Sequence, residues 1–93
     1  MPSFRGQPLD LVIDVRSKME YLLNHLPKAE NIPVQVLEES MRARKGLKPD
    51  MAILVYCASG VRSRNAQGIL TRLGFTKVID GGGIRAAARD YRA

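Results

Sequence analysis

Tryptophan is absent from this 93-residue chain, and only two phenylalanines and three tyrosines accompany its aliphatic residues. A core built from it must be mainly aliphatic. It must also be small, because a chain of this length buries only about 60 to 65% of its unfolded surface, which fits one domain over residues 1–93. A single cysteine, Cys57, excludes an intrachain disulfide framework and leaves the redox compartment open. His25 is the only histidine and has no cysteine at ligand spacing, so a structural place in the turn before Pro27 is favoured over a metal or general-base role. No apolar stretch approaches the roughly 18 residues of a membrane span. The opening "MPSFRGQPLDLVIDV" lacks the basic-then-apolar layout of a signal peptide. These absences predict a soluble, cytoplasmic protein with no membrane partner, although a mature periplasmic protein stripped of its leader reads the same way. No internal repeat, linker or low-complexity segment is apparent.

What the chain has in excess is positive charge, 15 Lys and Arg against nine Asp and Glu, a net of +6. That balance attracts anions without specifying their size. The densest basic run, "RARKGLK" at residues 42–48, reads as a solvated helix end and turn. Nucleic-acid binding calls for basic residues interleaved with aromatics, and aromatics are scarce, so no nucleic-acid partner is expected.

The hydrophobic pattern alternates between strand and helix. "LDLVIDV" (residues 9–15) is a β-branched apolar run that reads as a buried strand. "SKMEYLLNHL" places Met19, Leu22, Leu23 and Leu26 at helical spacing, predicting an amphipathic helix stopped with the help of Pro27. "AENIPV" is short and extended, and "QVLEESMRARKG" is helical through Val36, Leu37 and Met41 with Gly46 as its C-terminal cap. "MAILVY" (residues 51–56) is continuously apolar, as a strand covered on both faces must be. "RSRNAQGILTRLGF" aligns Ala66, Ile69, Leu70 and Leu73 before Gly74; "TKVID" is a last strand, "GGG" a tight turn and "IRAAARDYRA" a terminal helix. This order predicts an α/β fold with a parallel sheet and helices on its faces. Ligands of such sheets sit beyond the carboxyl ends of the strands.

Residues 57–64, "CASGVRSR", follow directly on the most apolar strand. A loop entering a helix N-terminus presents unpaired backbone N–H groups and a partial positive charge, which together make an anion site. Ala58, Ser59 and Gly60 are small enough to let amides converge, Val61 and Arg62 complete the turn, and Gly60 permits a positive φ. The same field acts on Cys57. A thiol of ordinary pKa about 8.5 is lowered to about 3.5 to 7.5 by helix N-termini and nearby arginine. A value near 7 stabilises the thiolate by about 2 kcal/mol and makes a nucleophile without a histidine base. Against this stands the inert buried cysteine, the commoner fate of a lone Cys after an apolar strand.

Around that loop the sequence resembles the rhodanese family. "CASGVR" after "AILVY" is similar to the family's active-site loop, and "LVIDVR" to its Asp-Val-Arg strand end. "NHLPKAENIP" is similar to the segment that follows, and "LTRLGFTKVIDGGG" to the helix, turn, strand and Gly-Gly end. The resemblance covers about residues 11–84 and implies a rhodanese-like domain with a sheet of four to five strands. It implies sulfur transfer with no cofactor and no metal. By the same resemblance Cys57 is expected to be the catalytic nucleophile, and Ala58, Ser59, Gly60, Val61 and Arg62 to bind the substrate. The resemblance implies a small anionic donor such as thiosulfate and cyanide or an external thiol as acceptor, since no second cysteine exists to resolve a persulfide. A non-enzymatic sulfur carrier or regulatory module is the alternative. Cysteine phosphatases sharing the fold have a loop one residue longer, with arginine where this chain has Ser63, which favours sulfur over phosphate or arsenate.

The chain departs from the pattern at three places. Only ten residues precede Leu11, so the usual N-terminal strand and helix are nearly missing; loss of an edge strand would leave a marginal monomer or a homodimer. Lys28 stands where glycine is common, and no tryptophan follows the final Gly-Gly. Asp14 and Arg16 read as a polar pair at a strand end. Gly81 to Gly83 lack the pattern of a phosphate loop.

Overall fold

The computed structural model describes all of residues 1–93. The chain opens with β1 (Ser3–Phe4) and β2 (Gln7–Pro8), then enters β3 (Leu11–Asp14), α1 (Lys18–Leu23) and β4 (Glu30–Asn31). A 3-10 turn at Val34–Val36 runs into α2 (Leu37–Ala43), followed by β5 (Ala52–Cys57), α3 (Val61–Arg72), β6 (Lys77–Gly83), α4 (Ile84–Asp90) and β7 (Tyr91–Arg92). Four strands pair in parallel in the order β4-β3-β5-β6, so the predicted α/β sheet is present with four strands.

Alternation along β3 and β5 builds the two halves of the core. Leu11, Ile13, Val15, Ile53, Val55 and Cys57 face Leu37 and Met41 of α2 and Ala66 and Leu70 of α3. Val12, Ala52, Leu54 and Tyr56 face Phe4, Leu26, Ala29, Ala87 of α4 and Tyr91. All of β5 is buried, which explains its uninterrupted apolar run. Each large aliphatic side chain so enclosed contributes about 1.5 to 3 kcal/mol relative to exposure.

Several predicted details are corrected. α1 spans six residues, and Met19 (69% exposed), Leu22 (66%) and Leu23 (79%) project into solvent instead of forming its buried stripe. Tyr21 takes the inward position, with its hydroxyl donating to the Ala29 carbonyl at 2.7 Å. The chain then breaks helix at Asn24, whose carbonyl accepts from Arg16 Nη2 at 2.6 Å, and Leu26 enters the core beyond the helix with its N–H on the Tyr56 hydroxyl. In α2 the cap is Arg44 in extended conformation, and Gly46 with φ 84° lies in the turn that follows. The triple glycine belongs to β6, where a bulge between Val55 and Cys57 lets Gly83 pair with Cys57. The final helix ends at Asp90, and Tyr91–Arg92 pairs antiparallel with β1, which pairs in turn with β2. The short N-terminus therefore adds no strand to the parallel sheet but forms a separate three-stranded antiparallel one. Lys28 has φ 67°, the left-handed region that favours glycine. His25 stacks on the Tyr21 ring at 3.7 Å, with Nδ1 2.8 Å from the Tyr21 carbonyl, the structural place expected of it.

Candidate active site at the carboxyl edge of the sheet

β3 and β5 run side by side with Asp14 opposite Tyr56, so the segments leaving both strands share one edge. Asp14 and Arg16 form a buried pair there: Arg16 Nη2 lies 2.8 Å from Asp14 Oδ2, and Nε and the backbone N–H also donate to Asp14. Asn31 closes the corner by donating to the carbonyls of Asp14 and Arg16. Arg16 thus organises the edge and is committed to Asp14 and the Asn24 carbonyl.

Cys57 is the last residue of β5 and is fully buried. Ala58 and Ser59 arch outward, Gly60 turns with φ 100°, and α3 begins at Val61. The Gly60 N–H donates to Cys57 Sγ at 2.9 Å. Burial pushes the thiol up, but the Ser63 hydroxyl and the backbone N–H groups of Ser63, Gly60 and Ser59 overcome it, so the pKa is lowered overall. The Ser63 hydroxyl also lies 3.1 Å from the Gly60 carbonyl.

The wall opposite the loop is β6. A Cβ on Gly83 would sit 2.5 Å from the Ala58 carbonyl oxygen, so only glycine lets the strand pass this close. Val61, at 76% exposure, lies on the outer rim.

Arg62 is not a free cation. Its Nη1 and Nη2 contact Glu20 Oε1 and Oε2 at 2.7 and 3.0 Å, a bidentate pair joining α3 to α1. Glu20 is held from behind by a capping box: its Oε1 accepts from the Ser17 N–H and hydroxyl, and its N–H donates to Ser17 Oγ. The hydrogen bond to Arg62 first, and then the one from the Ser17 N–H, pull the Glu20 carboxyl down to about 2. Arg64 is exposed and has no carboxylate partner.

The structure therefore gathers Cys57, Ala58, Ser59, Gly60, Val61 and Arg62 into one turn of chain, and adds two residues the sequence reading passed over. Extending the α3 stripe of Ala66 and Leu70 backward by three lands on Ser63, a signal available from spacing. Ser17-x-x-Glu20 is legible as a capping box, but nothing local announces a partner 42 residues away. Chemically, the Gly60 N–H and the loop around it favour negative charge on the Cys57 sulfur.

The chain is similar to known proteins along most of its length. The model of the rhodanese-like domain matches residues 3–86. Thiosulfate sulfurtransferase PspE of Escherichia coli (strain K12) is 36% identical over 76 residues, covering 82% of this chain and 72% of that protein. The tRNA uridine(34) hydroxylase of Salmonella arizonae is 34% identical over 87 residues; the match covers 88% of this chain but spans only 25% of that protein. Among solved structures, an E. coli rhodanese with anions superposes with a TM-score of 0.77 at 30% identity, covering 88% of this chain and 95% of that one. A human single-domain sulfurtransferase superposes at 0.69 with 25% identity, over 85% and 80% of the two chains. With residues 3–86 matched and a relative 36% identical over most of both chains, the chain belongs to the rhodanese-like domain family.

Proposed function

We propose that residues 1–93 act as one sulfurtransferase domain in which Cys57 carries sulfane sulfur from thiosulfate, or a persulfide donor, to cyanide or an external thiol. The observation that carries this reading is the Cys57 sulfur under the Gly60 N–H at 2.9 Å, at the start of a 12-residue helix. A charge-assisted hydrogen bond of this kind favours thiolate over thiol.

The thiolate attacks the outer sulfur of thiosulfate. A new S–S bond forms, the S–S bond of thiosulfate breaks, and sulfite leaves with the electron pair. The product is a Cys57 persulfide anion, whose terminal sulfur extends about 2 Å beyond Sγ. That step moves the charge from the buried sulfur towards the rim formed by Ala58, Ser59 and Val61. Cyanide then attacks the terminal sulfur, leaves as thiocyanate, and returns the thiolate; a thiol acceptor leaves as a persulfide in the same way. The two displacements involve no net oxidation, so the cycle draws on no cofactor. The loop N–H groups stabilise thiolate and persulfide alike, which makes loading and discharge both accessible. Support for the donor class comes from the likeness to PspE, named a thiosulfate sulfurtransferase. The chain has no helix long and apolar enough to cross a membrane, consistent with a domain meeting its small substrates in aqueous solution.

Intact-protein mass spectrometry tests the reading. Thiosulfate should add one sulfur, about 32 Da, cyanide should remove it with release of thiocyanate, and Cys57→Ser should abolish both. Turnover by that variant overturns the assignment. A persulfide that forms but resists every acceptor identifies a carrier module instead.

A further inference from the structure

Arg62 ends the Cys57-to-Arg62 turn, and Glu20 of α1 stands against it. Arg62 would be the only cation in the Cys57-to-Arg62 turn, yet both its terminal nitrogens are spent on the Glu20 carboxylate. The two side chains are equally sheltered, 34% and 33% exposed. Ser17 holds Glu20 in place through backbone and hydroxyl at 3.1 and 3.0 Å. Ser17 in turn follows directly on Arg16, which is buried against Asp14. The loop thus meets an ion pair of zero net charge, whose field falls off faster with distance than that of a lone guanidinium.

Donors differ in how strongly they need that missing cation. Thiosulfate carries two negative charges and meets a thiolate, so three charges converge; persulfide and sulfite leave with the same three. A small organic persulfide converging on the thiolate brings the total to two, shared afterwards between the Cys57 persulfide and the departing thiolate. In both reactions one S–S bond breaks, one forms, and the leaving group keeps the electron pair. An unbalanced arginine lowers the first barrier more than the second.

Building on the sulfurtransfer reading, we propose that Glu20 is a specificity-determining residue: by balancing Arg62 it turns the site away from dianionic thiosulfate and towards singly charged sulfane donors such as low-molecular-weight persulfides. Glu20 touches no reacting atom and acts through Arg62, so it is a positioning residue. Its low carboxyl value of about 2 keeps the pair ionised at neutral pH, so substitution rather than acid must break it.

The test measures kcat/KM with thiosulfate and with cysteine persulfide for wild type, Glu20→Gln, Glu20→Asp and the double variant Glu20→Gln with Arg62→Gln. Glutamine at this position retains the hydrogen bonds of the capping box, so α1 is preserved. Freeing one cation near the reacting charges should raise the thiosulfate-to-persulfide ratio about 3- to 10-fold in Glu20→Gln. It should also lower the midpoint of Cys57 alkylation against pH. Glu20→Asp keeps the charge and should keep the wild-type ratio, while the doubly neutral variant should restore it. Equal losses for both donors, or a ratio that does not move, overturn the proposal and leave Glu20 a structural tie between α1 and α3. If wild-type Cys57 is loaded by neither donor, sulfur transfer itself fails and the proposal falls with it.

Discussion

Ser63 is fully enclosed in the first turn of α3, where its hydroxyl donates to the Gly60 carbonyl at 3.1 Å. Together with the loop N–H groups it opposes the upward push of burial on the thiol. Ser63→Ala removes one of the groups that lower the thiol and leaves the burial that raises it, so the alkylation midpoint of Cys57 should move to higher pH. Loading from thiosulfate should slow most below the wild-type midpoint and least well above it, where both proteins are thiolate. A pH–rate profile of iodoacetamide labelling checks this, and superimposable profiles would remove Ser63 from the site. Glu20 shows a shift in the same direction acting on stability. Its folded value lies below the ordinary 4.5, so the stability contributed by its ion pair is fully present above that value and is lost as pH falls towards about 2.

At the scale of elements, α1 carries the largest gap between pattern and packing. Met19, Leu22 and Leu23 have the spacing of a buried stripe, but the helix is only six residues long and docks through Tyr21 and the Glu20–Arg62 pair. Replacing Leu22 and Leu23 by glutamine should therefore change unfolding free energy by only about 0.5 kcal/mol each. Leu26→Ala, three residues on and buried, should cost about 2 to 5 kcal/mol. Urea denaturation separates the two, and a large loss from the exposed pair would mean that α1 packs differently. Long elements were legible because their periodicity reports burial directly: β5 as an unbroken apolar run, α3 through Ala66 and Leu70. The turn from β5 into α3 was legible for a related reason, since small residues and glycine at a strand-to-helix junction have few other uses. What could not be read locally was decided by partners far along the chain. Tyr21 faces inward because Ala29 accepts its hydroxyl, Gly81 to Gly83 extend β6 because a bulge beside Cys57 admits them, and Arg62 is neutralised by a carboxylate on α1.

Across the whole molecule, the two-residue strands at the ends have an effect out of proportion to their length. Ser3 lies opposite Arg92 and Phe4 opposite Tyr91, while Arg5 donates to Asp90 and the Tyr91 hydroxyl donates to the Pro27 carbonyl. Phe4 and Tyr91 bring these strands into the same half of the core as Leu54 and Tyr56. A circular permutant that joins Ala93 to Met1 through a few glycines and opens between Lys45 and Gly46, an exposed turn, should unfold as a single cooperative transition and still load Cys57. Loss of the fold in that permutant would show that chain order, and not the pairing of the ends, maintains β1 and β7. The consequence reaches into kinetics. In the natural order the β1–β7 pairing closes a loop of nearly the entire chain, a contact whose entropy must be surrendered before any neighbouring contact rewards it. In the permutant the same pairing becomes a hairpin, so contact order falls and refolding should accelerate. The β1–β7 pairing is then the most distant strand contact of this fold along the chain, and the permutant turns it into a local one.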